Sequence, residues 1–145
     1  MQLEDRIADL TASATGRITA IAAFAGIAGA SAVVAGYDPA QATFFPGCPL
    51  YQLTGLACPG CGLTRGFHAL FHGDVLTALD YNALLPVWAL IIAYVWLSLV
   101  VYAIRGKGLP MWPTHPRVLW VFFIALFAFG VIRNIPVYPF TILFP

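Results

Sequence analysis

The sequence predicts an all-α membrane protein: three transmembrane helices and a cysteine-containing extracytoplasmic loop that bears short interfacial helices. Three observations predict it. Of the 145 residues, 61% are hydrophobic and only 9% are charged, which is too little polar surface to coat a soluble globule of this size. The apolar residues gather into three long uncharged stretches, as bilayer-crossing helices require. All three cysteines fall between the first and second stretches, so whatever they do, they do together.

The chain opens with a polar arm in which Leu3, Ile7 and Leu10 keep helical spacing around Glu4, Asp5 and Arg6. That pattern fits an interfacial helix, or equally a frayed terminus. Residues 18–35 form the first span, close to the ~20 residues that cross a ~30 Å hydrocarbon core. Arg6 and Arg17 flank it as they would a signal peptide, and it is read here as an anchor. Within it Ala22, Gly26 and Ala30, with Ala25 and Gly29, make small-residue ladders on which another helix can close.

The second span, residues 83–104, has no charge and carries Trp88, Tyr94, Trp96 and Tyr102. Asn82 can cap its start, and Pro86 is tolerated in a first turn. The third, residues 118–134, is shorter and closes on Arg133 and Asn134, so it spans only with help from the tail or a thinned bilayer. Arg133 is a cation among apolar residues. It should pair, and Asp74 or Asp80 of the outer loop are the expected carboxylates.

Between the second and third spans, Arg105, Lys107 and Arg117 face no acidic residue. The positive-inside rule puts this loop and the N-terminus in the cytoplasm. The outer loop, residues 36–82, and the C-terminal tail then face outside, where thiols meet an oxidising compartment. Without repeats or a Gly/Ser linker, residues 1–145 read as a single membrane domain.

In the outer loop Pro46, Gly47 and Pro49 punctuate an irregular stretch. From Leu63 the pattern turns helical, with Phe67, Leu70 and Phe71 on one face and Thr64, His68 and His72 on its neighbour, until Gly73 breaks it. Asp74 is placed to cap a further helix over residues 75–81.

The run Cys58-Pro59-Gly60-Cys61-Gly62 is the sharpest motif. Proline after the first cysteine and glycine after the second favour a tight turn whose amides point at the sulfurs, as in zinc knuckles. Three readings stay open. Cys48, Cys58 and Cys61 could bind zinc with His68, or His72 one turn on, as fourth ligand. A disulfide from Cys48 to Cys58 or Cys61 could staple the loop. The paired cysteines could also exchange thiols with a partner. Thr64 and Arg65 follow at a helix start, where they could hold a lipid phosphate or simply anchor to headgroups. Haem ligation by His68 and His72 is a weaker expectation than ordinary hydrogen bonding.

Some functions are excluded. A net charge of +1 from 7 basic and 6 acidic residues is no nucleic-acid footprint. No nucleophile–base set, nucleotide loop or carboxylate pair offers an active site, so the chain is not expected to be an enzyme. The spans contain no acid for a proton relay.

The CP, CPGCGLTR, HGD and terminal Arg-Asn elements together resemble an uncharacterised family of small bacterial membrane proteins with a CP…CPxCGxTR motif. The pattern falls on Cys48, Cys58, Cys61, Gly62, Thr64, Arg65, Gly73, Asp74, Asn82, Arg133 and Asn134. The resemblance implies a multi-pass protein of the bacterial plasma membrane with a shared cysteine site, and no reaction. Two functions are expected: a non-catalytic accessory subunit of a larger bacterial membrane complex, such as a respiratory one, with lipid and other membrane subunits as partners; or a thiol-redox or zinc-handling protein acting through the CPGC loop. Zinc is the one cofactor the residues suggest.

Overall fold

The structure, a computed structural model, describes residues 2–110 and 116–144, with side chains from residue 13 onward. In order it contains α1 (Gln2–Gly36), α2 (Pro49–Thr54), α3 (Leu63–Phe71), α4 (Val75–Tyr81), α5 (Leu85–Arg105), α6 (Pro116–Ile132) and a 3₁₀ turn (Phe140–Leu143). Among the described residues every regular element is helical.

The N-terminal arm is continuous with the first span, in one helix of 35 residues, not a separate interfacial helix. No proline interrupts the backbone between them, so the hydrogen-bond ladder runs on from polar into apolar sequence. The amphipathic pattern of Leu3, Ile7 and Leu10 lies outside the described side chains.

Two segments, Ser13–Gly36 and Leu85–Arg105, are long and apolar enough to cross a membrane. Almost none of either is buried within the chain, unlike the core helix of a soluble protein. Leu90 is 72% exposed and Ile18 68%, apolar surface of the kind a bilayer covers. The 17 residues of α6 rise only about 25 Å, less than a ~30 Å hydrocarbon core.

Helix α5 starts at Leu85, two residues later than expected. Asn82 accepts from the Leu84 amide through Oδ1 at 2.9 Å, and its carbonyl accepts from Leu85 at 2.9 Å, which makes a turn before the helix begins. Pro86 sits in the first turn, where its missing N–H costs nothing.

The chain divides into two compact units, residues 1–31 with 89–112 and residues 32–88 with 113–145. In the first, Phe24 packs on Trp96 with ring centroids 5.0 Å apart. Gly16 leaves room for the Tyr102 ring, and the Tyr94 hydroxyl donates to the Pro110 carbonyl. Of the basic loop between α5 and α6, residues 111–115 lie outside the described residues.

The second unit holds the cysteines. Its small core is the hairpin of α3 and α4, where Ala69, Ala78 and Leu85 are buried and Leu63 and Leu70 pack against them. Gly66 makes this possible, because a Cβ there would run into Leu85 and the Ala78 carbonyl. Gly73, at φ +81°, turns the chain between the two helices, and Asp74 caps α4 by accepting from the Thr77 amide at 3.1 Å.

Candidate functional site

The knuckle forms as its residue types dictate. Cys61 N–H donates to the Cys58 carbonyl at 3.0 Å, closing the turn over Pro59 and Gly60. Cys58 N–H donates to the Cys61 sulfur at 3.2 Å, the amide-to-sulfur contact that steadies a thiolate. Gly62 leaves the turn at φ +85°, left-handed backbone that glycine enters without strain, and starts α3.

Cys48 arrives from a different element. Helix α2, which the sequence pattern did not reveal, begins at Pro49 directly after it and ends at Gly55, φ +73°. The three sulfurs converge: all lie within 4.8 Å of one another, Cys48 to Cys58 at 3.3 Å and Cys61 to Cys58 at 3.4 Å. All three are free thiols and only partly exposed.

Their electrostatics differ. The Tyr51 amide, helped by the Cys58 and Cys61 side chains, holds the Cys48 thiol down to about 7. Burial, reinforced by the other two sulfurs, pushes Cys61 up to about 12.

Three side chains far away in sequence clamp the knuckle by its main chain. Asn134 donates to the Ala57 carbonyl at 2.8 Å and accepts from the Ala57 amide at 2.8 Å, and its Nδ2 also donates to Gly130 at 2.7 Å. Asn82, buried, donates to the carbonyls of Pro59 at 2.9 Å and Cys61 at 3.0 Å. Arg133 donates through Nη1 to Cys58 at 2.9 Å and Cys61 at 3.2 Å, and through Nε to Leu143 at 3.1 Å. Gly130 lets α6 close on the Pro59 ring, which a Cβ there would meet at 3.0 Å.

The expected ion pair of Arg133 with Asp74 or Asp80 is not made. Asp74 spends its carboxylate on Thr77, whose side chain and then amide lower its pKa, and Asp80 is exposed. Arg133 is wholly buried, its guanidinium 5.0 Å from the Phe129 ring centroid, and every hydrogen bond it makes ends on a main-chain carbonyl.

His68 lies outside the sulfur cluster. Its Nδ1 bonds the Val34 carbonyl at 2.7 Å, satisfying one of the last-turn acceptors of α1. His72 Nδ1 bonds the His68 carbonyl at 2.8 Å, and the two rings lie tilted to each other with centroids 4.4 Å apart. Neither ring completes a fourth ligand position among the described residues. Thr64 and Arg65 are exposed on the first turn of α3. The sequence singled out Asn82, Asn134 and Arg133, but not their common target, the carbonyls of residues 57–61.

No curated protein and no solved structure matches the chain. Residues 48–96, from the first cysteine of the site into α5, match a family described as a protein of unknown function, DUF2752.

Proposed function

We propose that this chain is a non-catalytic membrane subunit whose outer loop carries a three-cysteine site for a zinc-class divalent ion. The convergence of the three sulfurs within 4.8 Å carries the reading. A tetrahedral zinc with ~2.3 Å bonds holds its sulfurs about 3.8 Å apart, so separations of 3.3 and 3.4 Å need adjust by only a few tenths of an ångström. The ion would tie α2 to the knuckle and so cross-link a loop with little core of its own.

The chain in this reading is a multi-pass protein of the bacterial plasma membrane, with α6 as a third span and the cysteine loop outside. Reporter fusions at Gly55 and Met111 test that topology, the first expected outside and the second in the cytoplasm.

The accessory role has its own support. Among the described residues nothing lies where a Cβ on Gly26 or Gly29 would point, which leaves room there for a closely approaching helix. A partner membrane subunit, such as one of a respiratory assembly, would close there. Gly26→Leu should leave the fold intact and weaken copurification with the partner complex from native membranes in mild detergent. Association that survives Gly26→Leu contradicts the accessory role.

Elemental analysis tests the metal site. The chain purified with reductant should hold about one zinc, with three thiols that become alkylatable only after a chelator is added. One free thiol and no zinc would mean a disulfide staple instead; three free thiols and no zinc would favour thiol exchange.

A further inference from the structure

We infer that Arg133 is the built-in counter-charge of the cysteine centre, a positioning residue that makes three thiolates and one divalent ion the neutral form of the site. The inference rests on the metal-site reading above and adds to it the reason for a buried arginine.

Arg133 is 0% exposed. Its hydrogen-bond acceptors are the carbonyls of Cys58, Cys61 and Leu143, which are neutral, and no carboxylate faces it among the described residues. Carbonyl dipoles and the Phe129 ring soften the burial of the charge without cancelling it. One of its donors, Nη2, is also buried and has no partner among the described residues, an uncommon state for a guanidinium. A buried, partly unsatisfied cation calls for an anion that belongs to the working site.

Nη1 bonds the main-chain carbonyls of Cys58 and Cys61, which sets the guanidinium charge beside two of the three sulfur-bearing residues. With every thiol protonated the site keeps one uncompensated positive charge, and a disulfide with one protonated thiol does the same. Binding a divalent ion expels three thiol protons, and three thiolates around it leave one negative charge in excess. Arg133 cancels it. A neutral fourth ligand such as water keeps that balance and a fourth thiolate would spoil it, which agrees with a chain that has only three cysteines.

The test uses the reduced full-length chain in detergent, with zinc and cobalt(II) as probes and a chromophoric chelator as competitor. Arg133→Gln keeps donors for the carbonyls and removes the charge; Arg133→Lys keeps the charge and gives up most of the carbonyl bonds. We expect Arg133→Gln to weaken zinc binding about 10–100-fold, the usual effect of losing an outer-shell partner, and Arg133→Lys to stay within a few-fold of the unmodified chain. If Arg133→Gln does not accumulate, Arg133→Lys alone decides, because it must retain the metal despite its damaged hydrogen bonds. Equal affinity in the Gln variant, or a Lys variant that loses the metal, overturns the counter-charge and leaves the metal site standing. An unmodified chain that takes up neither ion overturns both.

Discussion

Asn82 and Arg133 meet on one acceptor: the carbonyl oxygen of Cys61 receives Asn82 Nδ2 at 3.0 Å and Arg133 Nη1 at 3.2 Å. Both lone pairs of that oxygen are thereby used, and the neighbouring carbonyls of Ala57, Cys58 and Pro59 are held in the same way. The buried polar side chains around the knuckle are spent on its main chain. What they leave free, pointing together, is sulfur.

Asn134 is the first place to test this clamp. Its amide replaces a strand neighbour for Ala57, a residue 1% exposed, so Asn134→Ala would strand a buried N–H and a buried C=O at once. A loss of about 2–4 kcal/mol is expected in denaturant unfolding in micelles. Asn134→Asp keeps the acceptor for the Ala57 amide and should lose less.

The two glycines of the knuckle should respond differently to alanine. Gly62 sits at φ +85°, so Gly62→Ala should cost about 1–2 kcal/mol and disturb the start of α3. At Gly60 a Cβ would find Leu63 at 3.7 Å and the Cys58 sulfur at 3.8 Å, ordinary contacts, and Gly60→Ala should unfold at nearly the same denaturant concentration as the unmodified chain.

In the reduced, metal-free chain, alkylation should select Cys48. Its thiolate is favoured down to about 7, so its rate should rise as pH rises through that value and fall below it, as the sulfur takes up its proton. Cys61, held up near 12 by burial, should stay slow across the same range. Mass-spectrometric mapping of label against pH checks both. Cys61 reacting first at pH 8 would contradict the arrangement of amides around Cys48.

Local chemistry was legible in the sequence and long-range chemistry was not. The start of α3 at Leu63 and the span of α4, Val75–Tyr81, follow from Gly62, Gly73 and the Asp74 cap, signals that act within a few residues. The amide-to-sulfur turn of the knuckle was readable for the same reason. Helix α2 was not: six residues are too few to show a period, and only Pro49 and Gly55 mark its ends. Nor was the target of Arg133. Charge reasoning sought a carboxylate, whereas the fold supplies carbonyls 75 and 72 residues away, a pairing no local pattern encodes. His68 shared a helix face suited to metal ligation, yet the open carbonyl at the end of α1 claims it.

The central claim is that Cys48, Cys58 and Cys61 together hold a divalent metal ion. Zinc-edge X-ray absorption on the chain purified under reducing conditions tests it most directly. The account predicts a first shell of three sulfurs at ~2.3 Å with one lighter atom, lost in Cys58→Ser. A chain without zinc, or a zinc shell without sulfur, would contradict it.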